Sequence, residues 1–153
     1  MINIGKGIIA GLVASATVAG AVFVAAITSV IQAPDPVQVA SGIMLTPTGL
    51  SWVVHFAVGT FLWGPLLAVL SPILPSPFWF KGLAFGILAW LIMLLVTWAV
   101  DPSSPPQPDL PPILLHLLFG AVLGWMYGIL LDRAERRTSA RRATLTRGEH
   151  VQH

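Results

Sequence analysis

Four long apolar runs dominate the hydrophobic pattern, and short polar or proline-containing segments separate them. Each run reaches the about 18–20 residues that an α-helix needs to cross a bilayer. The pattern therefore predicts an all-α polytopic membrane protein with four transmembrane helices. We expect these helices at about residues 8–31, 50–70, 83–100 and 113–131, within one transmembrane domain over residues 1–131.

The first run allows a second interpretation, a cleaved signal peptide with Lys6 as a minimal basic region. The apolar part of a signal peptide covers about 7–15 residues. The run Ile8–Ile31 is clearly longer, which favours a membrane span.

Composition supports a membrane protein, because 56% of the residues are hydrophobic and only 9% are charged. Soluble domains carry about 25% charged residues. The chain contains no Cys, which excludes disulfides, iron–sulfur ligation and thiol catalysis.

The charges predict the orientation in the membrane. If all four runs span, Lys6, Lys81 and the arginine-rich tail fall on one side, opposite Asp35, Asp101 and Asp109. Basic residues mark the cytoplasmic face. We therefore expect both termini in the cytoplasm, at the inner (cytoplasmic) membrane. The residues predicted to anchor the chain at the membrane surface are Lys6, Lys81, Arg133, Arg136 and Arg137.

Residues 132–153 form a basic tail, expected to be cytoplasmic and partly disordered. The stretch "DRAERRTSARRATL" can extend the last helix by a few turns, since Ala, Glu and Arg favour helix. Beyond Thr146 we expect disorder. The tail serves either as a topology anchor or as a dock for anionic lipid or a partner subunit. Its position after an apolar span argues against nucleic acid as the partner.

An internal repeat relates the two halves of the chain. "KGIIAGLVA" (6–14) matches "KGLAFGILA" (81–89), and "HFAVGTFLWG" (55–64) matches "HLLFGAVLGW" (116–125). Because each half contains two spans, the copies share one orientation in the membrane. The sequence thus predicts two parallel two-helix repeats.

Small residues recur at four-residue spacing along the predicted helices. Such stripes let helix backbones approach closely in a membrane, where apolar burial gives no advantage over lipid. The residues that we expect at helix contacts are Gly7, Gly11, Ser15, Gly82, Gly86 and Gly128.

These motifs resemble an uncharacterised family of small four-span bacterial and archaeal membrane proteins. The similarity covers most of residues 5–130, and it includes "HFAVGTFLWG", "KGLAFGILAWLIM" and "LHLLFGAVLG". The outer segment "VDPSSPPQPDLPP" departs from a Gly-rich stretch in the family pattern. The resemblance implies the four-span fold and implies no established activity.

Two histidines are the candidate chemical groups, because an imidazole inside a membrane span is costly without a partner. Neutral imidazole binds iron, zinc or the magnesium of a chlorophyll. Glycines on the same face would leave room for a flat macrocycle. His55 and His116, with Gly59, Gly120 and Gly124, are therefore candidate ligands for haem b or a chlorophyll-type pigment. The alternatives are structural hydrogen bonds and contact with a quinone or a lipid headgroup.

No cofactor follows from the sequence alone, and an enzyme is not expected. The spans contain no acidic residue, and the chain has no phosphate loop, HExxH helix or GxSxG elbow. We expect a non-catalytic accessory subunit or scaffold in a larger membrane assembly, such as a respiratory or photosynthetic complex. Its expected partners are lipids and other membrane subunits or copies of itself. The alternative is a b-type haem or pigment electron-transfer protein that uses His55 and His116.

Overall fold

The computed structural model describes residues 2–28, 48–103 and 110–149, and these residues form helices and no strands. The helical spans are α1 (Ile4–Thr28), α2 (Thr48–Leu70), α3 (Phe78–Val100) and α4 (Leu110–Glu149). Each contains a segment long and apolar enough to cross a membrane. The predicted all-α class with four membrane-spanning helices is confirmed. The predicted end of the first span, residues 29–31, lies outside the described residues.

Polar and proline residues set the helix starts. The Asn3 side-chain oxygen accepts a hydrogen bond from the Lys6 backbone N–H at 3.0 Å, which caps the first turn of α1. Helix α3 follows Pro77, and α4 carries Pro111 and Pro112 in its first turn, where a missing N–H costs nothing. Consequently α3 and α4 begin a few residues earlier than the apolar runs indicated.

Helix α4 continues far beyond its apolar segment and comprises 40 residues. Residues 147–149 are helical, and the expected disorder beyond Thr146 stays a prediction. The extension is rich in Ala, Arg and Glu, and no proline interrupts it. Residues 150–153 lie outside the described part of the chain.

Helix α2 is not the continuous α-helix that its apolar run predicted. It consists of an α-helix at Thr48–Ala57, a π-helix at Val58–Trp63 and a second α-helix at Gly64–Leu70. The Gly64 N–H bonds the Gly59 carbonyl, five residues back. Pro65 explains the break, because proline offers no N–H and its ring clashes with a carbonyl of the preceding turn.

The four spans form a bundle of two antiparallel hairpins, α1–α2 and α3–α4. Each hairpin makes an extensive helix contact, and α1 packs against α4 to join them. On the opposite side, α2 and α3 meet through larger side chains, with the rings of Trp63 and Phe85 5.8 Å apart in an edge-to-face arrangement.

The core consists of Leu67, Ala68 and Phe85 together with two stripes of apolar residues at four-residue spacing, which places each stripe on one helix face. These residues are at most 9% exposed. The stripe of α1 comprises Ala10, Ala14, Val18 and Val22, and that of α4 comprises Phe119, Leu123, Tyr127 and Leu131.

Glycines bring the backbones of α3 and α4 into direct contact. A Cβ atom built on Gly124 would lie 2.7 Å from the Gly82 Cα, and one on Gly120 would lie 2.8 Å from the Gly86 Cα. Real Cβ atoms do not approach other atoms so closely. These helices therefore touch through their backbones, as small residues permit in membranes.

The first hairpin repeats this contact with a different spacing. Gly59 and Gly64 are five residues apart, whereas Gly120 and Gly124 are four apart. Both Gly59 and Gly64 nevertheless lie in the contact with α1, where Gly64 faces Gly7 and Gly11 and Gly59 faces Ser15. An α-helix would turn one of a five-residue pair away. The wider π-helical turn absorbs the extra residue and keeps both glycines on one face, so the two hairpins match in their glycine contacts.

A prediction follows for Gly124. We expect Gly124→Ala to lower the thermal stability of the purified protein, by about 1–3 kcal/mol or more, because the new methyl group overlaps the α3 backbone. The matched control is Gly20→Ala, since a Cβ on Gly20 meets no atom within 4 Å. We expect Gly20→Ala to be neutral or slightly stabilising, as Ala favours helix. Thermal unfolding in detergent measures the melting temperatures of both variants. Equal melting temperatures of Gly124→Ala and Gly20→Ala would contradict the close contact at Gly124.

Candidate functional site

His116 lies near the start of α4 and is half-buried. Its ring Nδ1 is 2.8 Å from the Pro112 carbonyl oxygen of its own helix. A carbonyl only accepts hydrogen bonds, so Nδ1 carries the proton and donates. The lone pair of the neutral ring is then on Nε2, which is the atom that can bind a ligand.

His55 lies in the first α-helical segment of α2 and is also half-buried. Its ring contacts the ring of Phe56 edge-to-face, with centroids 5.6 Å apart. Helix α4 meets α2 chiefly through Gly64–Leu70, the end of α2 remote from His55. The pairing of His55 with His116 as a shared ligand set stays a prediction.

The glycines assigned to cofactor binding occupy other surroundings. Gly120 and Gly124 lie against the α3 backbone, and Gly59 lies against Ser15 and Gly11 of α1. The glycine face next to His116 is therefore filled by a neighbouring helix. Helix packing occupies this face, and the assignment of these glycines to a cofactor stays a prediction.

The residues assigned to helix packing all lie at contacts between helices. Those of α1 and α3 face the glycines of the partner helix in their hairpin, while Gly128 faces the side chain of Phe78. The set comprises Gly7, Gly11, Ser15, Gly82, Gly86 and Gly128. Among the described residues, no group of three or more His, Cys, Asp or Glu side chains gathers to hold a metal ion.

Lys81 differs from the surface anchor predicted for it. Its side chain is only 9% exposed, and its ammonium donates a hydrogen bond of 2.5 Å to the Ser71 carbonyl at the end of α2. The ammonium also lies 5.3 Å from the centre of the Phe78 ring. Lys81 thus fastens the start of α3 to the end of α2 inside the protein.

The other predicted anchors have more access to the surroundings. Lys6 is half-buried in the first turn of α1, and Arg133, Arg136 and Arg137 are exposed on the extension of α4. Their role at the membrane surface stays a prediction.

Sequence reasoning missed two structural residues. Pro65 marks the break in α2, and its position inside an apolar run was the available signal. Tyr127 is fully buried, and its hydroxyl accepts a hydrogen bond from the Asn3 N–H at 3.1 Å, which ties the start of α1 to α4. Its phenol, as a polar group within an apolar span, indicated a need for such a partner.

Comparison with protein families gives a match over residues 1–138, which include all four spans. The chain belongs to DUF6789, a family of unknown function. The predicted resemblance to an uncharacterised family of four-span proteins is confirmed by this match and by the four apolar helices. No curated protein and no solved structure matches this DUF6789 chain.

Lys81 of this DUF6789 protein provides a second prediction. We expect Lys81→Met to destabilise the fold by about 1.5–3 kcal/mol, because it removes a charged donor from the buried Ser71 carbonyl. The control is Lys6→Met, which removes the same charge from the less buried Lys6. Chemical unfolding in detergent measures the free energy of unfolding of both variants. Equal stability of Lys81→Met and wild type would show that the ammonium does not fasten α2 to α3.

Proposed function

We propose that this DUF6789 chain is a non-catalytic membrane subunit that docks into a larger assembly through the cytoplasmic extension of α4. The observation that carries the proposal is the continuous helix from the apolar segment of α4 into an exposed, arginine-bearing segment. A rigid, charged helix that leaves the bundle suits a docking element, because a partner binds it without first ordering it.

The length of the extension favours a protein partner over lipid headgroups. The charged part, Asp132–Glu149, is about 27 Å long at 1.5 Å per residue. The headgroup layer is only about 5–8 Å thick on each side of the bilayer. Arg141 stands about 15 Å beyond Leu131 along the helix, which places it past the headgroups by about one Debye length of about 8 Å.

Four of the arginines of the extension lie on one side of the helix, whereas Arg142 lies on the side opposite Arg133. Arg133, Arg137 and Arg141 follow each other at four-residue spacing, which places them in one line on the helix. Arg136 lies one turn away from Arg133 beside this line, and all four side chains are exposed. The residues nearest the apolar segment suit headgroup phosphates, while Arg141 suits an acidic protein surface.

The transmembrane bundle supports a structural role. Its glycine faces hold the helices together, and its described core is apolar apart from a few buried polar groups. The location is part of the proposal: the inner membrane, with the arginine extension and both termini in the cytoplasm. The distribution of Lys and Arg supports that orientation.

Cysteine labelling tests the orientation, since the chain contains no native Cys. We expect Ser103→Cys, after the end of α3, to react with a membrane-impermeant maleimide added to whole cells. We expect Ala140→Cys on the extension to react only after the membrane is opened. The reverse pattern would place the extension outside and remove the cytoplasmic docking role.

Charge variants test the docking itself. We expect the wild-type protein in mildly solubilised membranes to migrate with a larger complex, and Arg141→Gln to shift to the free form. Ser139→Asp is the control, because it changes the net charge equally on the opposite side of the helix. Native electrophoresis in low and high salt measures the shift. Migration of the wild-type chain alone, or an equal effect of both variants, would contradict the proposal.

A second candidate function is a haem- or pigment-binding electron-transfer protein. The observation in its favour is the Nδ1 hydrogen bond of His116, which fixes the ring and leaves Nε2 as the lone-pair atom. Metal-bound histidines commonly have this arrangement. The ligand would approach away from α3, because the glycine face is filled.

An absorption spectrum of the purified protein distinguishes the two functions. Haem binding requires a Soret band that disappears in His116→Ala. If His55 is the second axial ligand, His55→Ala changes the band as well. A colourless protein, with or without added haem, would exclude this candidate and leave the docking subunit.

A further inference from the structure

Two buried hydroxyl groups lie in the contact between α1 and α2. Ser15 is fully buried and Thr60 is 5% exposed. Neither hydroxyl oxygen has a hydrogen-bond partner within the described parts of the chain. A buried hydroxyl without a partner is costly, so the great majority in proteins are satisfied by protein or by ordered water.

Hydroxyls elsewhere in the bundle show the usual solution in an apolar span. Thr17 donates to the Val13 carbonyl at 2.9 Å, and Thr97 donates to the Met93 carbonyl at 2.9 Å. Each thereby bonds its own helix four residues back. Ser15 and Thr60 do not make this bond, so their hydroxyls remain available to a further group.

The local backbone explains why these two residues differ. A Cβ atom on Gly59 would overlap the Ser15 hydroxyl, so this hydroxyl lies against α2. Thr60 belongs to the π-helix, whose wider turn moves the carbonyls away from their α-helical positions. The Thr60 Cα lies in the same contact, 3.1 Å from a Cβ built on Gly11.

A third oxygen of this region lacks a helical donor. In an α-helix the Thr60 carbonyl would accept from Gly64, but the Gly64 N–H bonds Gly59 instead. In a continued π-helix it would accept from residue 65, which is Pro65 and has no N–H. The π-helix therefore adds a carbonyl acceptor to the two hydroxyls.

We propose that Ser15, Thr60 and the Thr60 carbonyl form a binding site for one water molecule in the contact between α1 and α2. A water molecule can donate two hydrogen bonds and accept two. It can therefore donate one to the carbonyl oxygen and form one with each hydroxyl. A buried water in a protein typically makes about three hydrogen bonds. The helix backbones touch at Gly11 and Gly59, and such a contact favours a small ligand over a large one.

The charge of the site favours water over a sodium ion, which also binds hydroxyl and carbonyl oxygens. The four apolar runs contain no Asp or Glu to neutralise a cation. An unpaired charge at this depth in a membrane is costly, whereas a neutral water is not. The water stabilises the π-helical segment, because it satisfies the groups that this segment leaves without donors or acceptors.

The water site is tested by whether removal of either hydroxyl lowers or raises the melting temperature. We expect Ser15→Ala and Thr60→Val each to lower the melting temperature by about 2–4 °C, since each leaves the water with fewer bonds. We expect the melting temperature of the double variant to fall by less than the sum of the two single decreases, because both hydroxyls bind the same water. Thr97→Val is the control. We expect its change in melting temperature to add to that of Ser15→Ala or Thr60→Val when the two substitutions are combined. A high-resolution structure should show density within about 3.2 Å of both hydroxyls.

Two results would overturn the water site. If both hydroxyls are buried without any ligand, their removal relieves an unfavourable burial, and each variant raises the melting temperature additively. If the ligand is sodium, the wild-type melting temperature falls when potassium replaces sodium, and Ser15→Ala abolishes that dependence.

Discussion

The close approach of helix backbones at glycine residues is the interaction on which the bundle depends. Lipid chains are as apolar as leucine, so burial of side chains does not drive helices together inside a membrane. Dispersion contacts between atoms at optimal separation must do so, and these weaken rapidly when a gap opens. Glycine pairs such as Gly82 and Gly124 allow the maximum number of such contacts in each hairpin.

The unusual backbone of α2 follows from the same constraint. Because Gly59 and Gly64 are five positions apart, a regular α-helix cannot present both glycines to α1. The π-helix restores their common face, and Pro65 fixes the place of the break. The groups that lose their helical partners there include the Thr60 carbonyl and lie in the same contact. A requirement of packing thus creates a polar site in an otherwise apolar interface.

Periodicity and charge predict much of this architecture because they reflect the membrane directly. The number of spans, the small-residue stripes and the pairing of the two halves all follow from residue types at fixed spacing. The π-helix was not predicted, because a continuous apolar run has the same sequence pattern whether its turns are α-helical or π-helical. The hydrogen bond of Lys81 to the Ser71 carbonyl was not predicted, because sequence position alone does not show which carbonyl a lysine contacts. The glycines near His116 were assigned to a ligand because a stripe does not identify what packs on it.

The deletion of one residue from the π-helix tests the register of the glycine faces most directly. Phe61 is 69% exposed, so its deletion removes no core side chain and makes the two glycines of α2 four residues apart. The deletion is made in a Pro65→Ala background, which lets α2 form a continuous α-helix. We expect the bundle to stay folded, with a melting temperature within a few degrees of that of the wild type. Deletion of Ala121, which makes Gly120 and Gly124 three apart, should unfold the second hairpin. If removal of Phe61 is as damaging as removal of Ala121, the π-helix does not serve the glycine register.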